Sequence, residues 1–294
     1  MAILTPAMTR AFIKNARLPK LRVRRGARAL ADQPPVKLKQ NDAQSLVVGS
    51  GLIVAAEKVP VRTREDLIDC TLFAQLAASG EVGDPTQVSE WYDAYFRALT
   101  ALGWAQSDTQ FEDYEFSSQN AEAHKAIIPV LMALLGPQAA ALAVIKAALD
   151  GLQSMQENSP WITLFDQQSR TEKSARFQVA TAQVDAEGLL QISLVAFQLK
   201  ARTALTQVLF FKFASSSTRL RYSAGRATIY EAALREMRGM LATRLAEYRS
   251  AYVGQVKFPP LPGGGVRAVG KGARRGQGKT RAREIGRRGA RRRG

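Results

Sequence analysis

The sequence predicts an α+β fold: an antiparallel β-sheet meander sandwiched between two layers of α-helices, with disordered basic termini. Three observations predict it. Apolar residues recur at helical spacing from about residue 64 to 155, then change to a period of two from Ala175. The strands after that change are apolar on both faces, as a doubly covered sheet requires. Helical segments both precede and follow the strands, so both faces can be covered.

Ser45 to Ala56 is apolar and glycine-bearing and reads as a first strand. Thr63 is placed to cap a helix over Arg64 to Ala78, with Asp66 at the third helical position as a weak capping box. Leu67, Ile68, Leu72 and Leu76 form its apolar stripe, and Gly80 ends it. A second helix starts near Asp84-Pro85, since proline suits a first turn. Its stripe is Val88, Trp91, Tyr92, Tyr95, Phe96 and Leu99, closed by Gly103. Thr109 to Phe116 reads as a short strand.

A second helical pair spans about Glu122 to Leu135 and Pro137 to Met155, broken at Gly136-Pro137 and ended by Asn158-Ser159-Pro160. This run is the most membrane-like in the chain. Pro129, Gly136-Pro137, Gln138 and Lys146 interrupt it, and a spanning helix wants about 20 uninterrupted apolar residues. Two buried core helices are the reading. Trp161 to Phe165 is a short apolar stretch.

In the meander, Phe177, Val179 and Thr181 alternate with Gln178 and Ala180. Asp185 to Gly188 is a hairpin connection. Leu190, Ile192, Leu194 and Ala196 share one face, with Val195, Phe197 and Leu199 on the other. Gln207 to Phe213 is apolar on both faces, Ser215 to Ser217 turns, and Arg219 to Tyr222 follows. A last helix spans about Ile229 to Tyr252.

The chain has 294 residues, 42 Lys+Arg against 25 Asp+Glu, and a formal charge of +17. Residues 1–40 carry ten bases and one acid, and residues 255–294 carry thirteen bases and one acid. The remaining 19 bases and 23 acids give the body a charge of −4. We divide the chain into a basic disordered arm (1–40), an α+β domain (41–256) and a Pro/Gly linker with an Arg/Gly-rich disordered tail (257–294). Phe258-Pro259-Pro260-Leu261-Pro262 stiffens the linker, and the repeated Gly and Arg beyond it cannot bury enough surface to offset ordering entropy. Arg274, Arg275, Arg287, Arg288, Arg291, Arg292 and Arg293 of the tail are candidate polyanion contacts, acting through counterion release without sequence specificity. Anionic lipid attracts such a segment too, by about 1 kcal/mol per base near the surface. Localisation signal, solubilising tail, packaging tag and lipid attractor are all compatible with it.

Cys70 is the only cysteine and His124 the only histidine. No intrachain disulfide, cysteine zinc site or multi-histidine metal site can form from them. His124 near a helix start and Cys70 on a helix read as structural, and Glu112, Asp113 and Glu115 show no acid/base spacing. Gly263 to Gly265 lacks the following Lys-Ser/Thr of a phosphate loop. We therefore expect no enzyme, no cofactor and no metal. Met1 to Met8 is too short and too interrupted for a secretory signal.

Ser159-Pro160-Trp161-Ile162 through Phe165, Ala175 to Val179, Gly188, Phe197-Gln198-Leu199-Lys200 and above all Gln207-Val208-Leu209-Phe210-Phe211 with Ala214-Ser215 resemble the C-terminal half of the Cyt-type cytolytic delta-endotoxins. The order of helical hairpins and strands is also similar. The resemblance implies a pore-forming toxin or virulence factor fold whose soluble form binds lipid without a protein receptor. It also implies that helices swing away, that long strands enter or disrupt the bilayer, and that proteolysis trims both ends. The basic arms are unlike the family's ends. On this reading the protein is made soluble, is released from a bacterium without a signal peptide, and acts at a target membrane. Its partners are membrane lipids and further copies of itself there.

A membrane-crossing β-strand needs about 9–11 residues. Segments 176–185, 189–200 and 206–214 reach that length. The candidate membrane-interacting residues are Phe177, Val179, Ile192, Leu194, Val195, Phe197, Leu209, Phe210, Phe211 and Phe213, under a helical cover that includes Trp91, Phe96, Leu131 and Leu134. A pocket between sheet and helices is expected to suit a lipid chain. The competing reading is a soluble interaction protein of the same fold whose basic tails bind nucleic acid or acidic partners.

Overall fold

The computed structural model describes residues 5–21, 36–107, 111–114, 123–135, 140–154, 168–171, 173–185, 187, 189–201 and 218–256. In chain order these form α1 (Pro6–Asn15), β1 (Gln44–Val48), β2 (Gly51–Ala55), α2 (Val61–Val82), α3 (Val88–Ala101), β3 (Ala105–Gln106), β4 (Glu112–Asp113) and α4 (Ala123–Leu135). Then follow α5 (Ala140–Ser154), β5 (Ser174–Val184), β6 (Leu189–Ala201), β7 (Thr218–Tyr230), α6 (Glu231–Leu245), α7 (Arg249–Tyr252) and β8 (Val253–Val256).

The sheet order is β3-β7-β6-β5-β2-β1-β8, with β4 also on β7. The meander β5-β6-β7 is antiparallel throughout, with Phe177 opposite Phe197 and Phe197 opposite Tyr222. The β1-β2 hairpin joins it by a parallel pairing of β2 with β5, Leu52 opposite Val179.

Strand alternation sends side chains to two separate cores. On one face, Leu46, Ile53, Ala182, Ile192, Leu194 and Ile229 pack with α1, α2, α3 and α6. On the other, Val47, Leu52, Phe177, Val179, Val195, Phe197 and Leu220 pack with α4 and α5 through Ile127, Leu131, Ile145 and Leu149. The expected sandwich is therefore present, with four helices on one face and two on the other among the described residues.

Several boundaries differ from the sequence reading. The apolar run 45–56 is two strands, because Gly49 takes φ +55° and turns the chain. Gln75 fills the space where a Gly49 Cβ would stand, 2.1 Å from its Oε1, and that oxygen accepts the Ser50 amide at 3.1 Å. Helix α2 starts at Val61, so Thr63 lies inside the first turn and is no cap; Pro60 precedes the helix without a side-chain cap. Helix α3 starts at Val88, not at Pro85, because Asp84 Oδ1 accepts the Thr86 amide at 2.8 Å and holds 84–86 as a turn. The expected strand 109–116 is described only as β4. Ile229 and Tyr230 belong to β7, paired with Leu190 and Leu189, and the expected last helix is α6, α7 and then β8 on the sheet edge.

The arm 1–40 is not disordered throughout. Thr5 Oγ1 accepts the Met8 amide at 3.3 Å, Pro6 sits in the first turn, and α1 follows. Its Ile13 is fully buried, and Phe12 meets Phe73 edge-on at 5.8 Å. After α1 the chain crosses the layer as a strap: Arg244 donates to the Ala16 carbonyl at 2.6 Å and Tyr248 to the Pro19 carbonyl at 2.9 Å. Isolated apolar residues among many bases hid this short docked helix.

Candidate membrane-active sheet

Phe177, Val179, Val195 and Phe197 form a buried square on the α4–α5 face, two on β5 and two on β6 in direct register. Phe177 and Phe197 stack at 4.7 Å. Ala175, Leu199 and Leu220 extend the patch. Ile192 and Leu194 are buried as well, but they point to the four-helix face, opposite Ala182 and Ala180. Leu209, Phe210, Phe211 and Phe213 lie outside the described residues, as do Trp161 to Phe165 and the tail arginines Arg274, Arg275, Arg287, Arg288, Arg291, Arg292 and Arg293. Of the expected cover, Leu131 and Leu134 pack on the Phe177 face, and Trp91 and Phe96 on the other.

Polarity changes sides along the strands. Behind the aromatic square, on the four-helix face, stand Arg176, Gln178 and Gln198. Further along, Thr181 and Ser193 face α4–α5 while Ala180, Ala182, Ile192 and Leu194 face the four helices. The half of the meander over 175–179, 195–199 and 220–224 is thus amphipathic, apolar toward α4–α5 and polar toward α3.

The polar side is buried and bonded. The Tyr92 hydroxyl lies 2.9 Å from both the Phe177 and the Phe197 carbonyls and 3.4 Å from Gln178 Nε2. Burial pushes its pKa up, which keeps it a donor. Gln75 Nε2 donates to the Val48 carbonyl at 2.9 Å, and Ser50 Oγ meets Gln178 Oε1 at 3.2 Å. Arg176 lies over the Trp91 ring at 4.2 Å, a cation–π contact that partly replaces lost water. Desolvation brings its pKa down to about 10, so it stays charged at neutral pH.

Ion pairs join the helices of the four-helix layer to one another. Arg238 of α6 pairs with Asp66 of α2 through its Nε at 2.7 Å and its Nη2 at 2.5 Å, and Arg249 of α7 pairs in the same forked way with Asp69. Both carboxylates are buried. Helices α4 and α5 meet the sheet through Ile127, Val130, Leu131, Leu142, Ile145 and Leu149, and Arg226 reaches the Leu134 carbonyl at 3.0 Å.

Sequence reasoning missed Arg64. It is 1% exposed and donates to the carbonyls of Val59, Asp42, Ala56 and Glu57 and to Gln44 Oε1, tying β1, β2 and the start of α2 together. A basic residue in a helix's first turn opposes the helix dipole, and that mismatch was its only signal.

Beneath α3, against Leu194, Gly225 and Ala227, the free space is about 10 Å³, too little for a lipid chain. A wider groove of about 780 Å³ lies outside α3, between Phe12, Phe96, Arg97 and Gln106. Cys70 is buried 4.0 Å from the Met237 sulfur, and desolvation holds its thiol protonated. Among the described residues no helix is long and apolar enough to cross a membrane, and no group of three or more potential ligands could hold a metal ion.

The chain is similar in fold to three solved structures. One, a delta-endotoxin, is 14% identical at a TM-score of 0.37, the match covering 67% of this chain and 88% of that one. The activated Cyt2Ba monomer from Bacillus thuringiensis subsp. israelensis is 15% identical at 0.27, covering 46% and 79%. The Evf virulence factor is 9% identical at 0.31, covering 76% and 87%. No protein-family model matches the chain, and no curated protein matches it in sequence. Likenesses this distant assign no residue a role. The layered architecture rests on the strand register and the two cores described above.

Proposed function

We propose that the protein is a non-enzymatic, membrane-active, cytolysin-like toxin or virulence factor. The α4–α5 layer leaves the sheet at a lipid surface, and the exposed half-face of the meander disrupts the bilayer, alone or with further copies. The supporting observation is the amphipathic half-sheet. Its apolar side, Phe177, Val179, Val195, Phe197, Leu199 and Leu220, is covered by the layer held mainly by apolar contacts. Its polar side is covered by the four-helix layer, which meets the sheet's polar groups through Tyr92 and Trp91 and whose own helices are joined by buried ion pairs. Hydrocarbon can replace α4–α5 against the sheet without leaving a buried charge unpaired.

Strand length limits the mode. Five residues per strand at 3.4 Å each give an apolar band about 17 Å tall, short of the roughly 25 Å band of a transmembrane barrel. The described strands therefore suit insertion to part of the bilayer depth better than a full crossing.

Dye release from liposomes tests the proposal. The full-length protein, and a chain ending at residue 257, should release dye. Hydrogen exchange in the presence of vesicles should show α4–α5 losing protection while α2 and α6 keep theirs. Sealed vesicles at every dose and lipid composition overturn the reading. The thirteen bases of residues 255–294 favour the second reading, a soluble protein binding nucleic acid or acidic partners through its tail. Salt-sensitive DNA binding that is lost on removing 258–294, together with intact vesicles, is its signature.

A further inference from the structure

The half-sheet that the proposed function sets against lipid is charged on one side only, and with one sign. Its strand stretches, 175–179, 195–200 and 219–224, carry Arg176, Lys200, Arg219 and Arg221 and no Asp or Glu. All four bases stand on the polar, four-helix face. Arg176 precedes Phe177, Lys200 follows Leu199, and Arg219 and Arg221 flank Leu220, so strand alternation turns each away from the apolar core. The apolar side of these stretches carries no charged residue.

The placement of the bases opposes sheet stability. Lys200 is directly opposite Arg219, and like charges so placed destabilise a strand pair. Asp113 of β4 offsets part of this. It accepts Arg219 Nε at 2.8 Å and Nη2 at 2.5 Å and lies 3.5 Å from Arg221 Nε, so one carboxylate is shared by two guanidiniums. Lys200 is exposed and makes no ion pair with a described residue. Arg176 lies beneath α3 against the Trp91 ring and the Pro85 carbonyl, with no carboxylate among the described residues paired to it. Four bases against the single charge of Asp113 leave this face at +3. Glu112, the other acid of β4, accepts the Tyr222 hydroxyl at 3.0 Å on the opposite face. The acids Glu90 and Asp93 of α3 are exposed on the side of that helix away from Trp91 and Tyr92.

Charges of one sign beside a low-dielectric wall gather counter-ions and repel ions of their own sign, and Arg and Lys linings select anions. A ribbon that turns Phe177, Phe197, Leu199 and Leu220 to hydrocarbon turns its bases to water. We propose that the breach this protein opens in a bilayer conducts anions in preference to cations, with Lys200, Arg219 and Arg221 on its wet side. The inference rests on the membrane-active reading and adds to it the class of ion that passes.

Zero-current potentials of the full-length protein in planar phosphatidylcholine bilayers, under a potassium chloride gradient, test it. The wild type should pass chloride several-fold better than potassium. Lys200→Glu, at an exposed position, should lower that ratio several-fold. Adding Arg219→Glu, also exposed, leaves two bases against three acids and should reverse the preference toward potassium. Lys58→Glu makes the same charge change as Lys200→Glu at an exposed turn after β2, at the opposite end of β5 from Lys200, and should keep the wild-type ratio. The Arg/Gly tail is common to all four proteins and cancels. A wild type that prefers potassium, a ratio equal in wild type and Lys200→Glu, or a preference lost equally in Lys58→Glu overturns this inference and leaves the membrane reading standing. No conductance at any dose overturns both.

Discussion

Phe177 and Phe197 stack across the β5-β6 pair with centroids 4.7 Å apart and planes 16° from parallel, and from the other side of the sheet Tyr92 reaches the backbone carbonyls of the same two residues at 2.9 Å. The stack belongs to the core under α4–α5 and the hydroxyl to the core under α3. Phe177→Ala should cost about 3–5 kcal/mol in urea unfolding, since it removes a fully buried ring and leaves a cavity. Tyr92→Phe should cost about 1–3 kcal/mol by stranding buried acceptors. A Tyr92→Phe cost near zero would show that the carbonyls do not depend on it.

Arg64 is the second expected point of weakness. Arg64→Lys keeps the charge but cannot reach five acceptors on two chain segments. It should lower stability by about 3 kcal/mol or more, with Arg64→Met at least as damaging. Urea midpoints for the two variants check this, and a wild-type midpoint for Arg64→Lys would contradict it.

Asp66 and Asp69 sit one helical turn apart, yet their ion pairs differ. The Asp66 pair holds the Arg238 guanidinium above its usual pKa. At Asp69, desolvation outweighs the Arg249 contact and raises the carboxyl above its ordinary 3.8. The folded protein therefore takes up the Asp69 proton at a higher pH than the unfolded chain does. This group's contribution to stability rises as pH falls through its folded pKa toward 3.8, and is unfavourable above that window. At pH 7, Asp69→Asn should leave the thermal midpoint unchanged or raised, because the half-exposed Arg249 can hydrate. Asp66→Asn should lower it, because Arg238 is largely enclosed. Equal losses from both would contradict the difference.

Gly80 tests the N-terminal strap. A Cβ there would lie 1.8 Å from the Arg17 carbonyl oxygen, so Gly80→Ala must push residues 16–19 off α2. Faster tryptic cleavage after Arg17 and Lys20, with the α2 helix intact by circular dichroism, is the expected result. Unchanged cleavage kinetics would show that the strap yields without detaching.

The layered class and the meander were legible because period-two alternation in Phe177 to Val184 and Leu189 to Lys200 is local, and double-sided apolarity states that both faces are covered. Helices α2 and α3 were legible from their stripes, and α4 and α5 from an apolar run broken at Gly136-Pro137. Thr63 and Pro85 misled because a plausible cap is also a plausible first-turn residue, and only the actual donor and acceptor separate the two. Helix α1 was hidden because its few apolar residues gain stability only against Phe73 and the α6 face, which lie far along the chain.

Chain order and alternation alone established which residues of β5 and β6 share a face, because side chains on a strand must alternate. They also established that the charge resides at the two ends. Folding decided which helices cover which face, that β2 meets β5 in parallel, and that Lys200 stands directly opposite Arg219 on the neighbouring strand. These relations depend on pairing between segments distant in the chain, and local spacing holds no information about which distant partner wins.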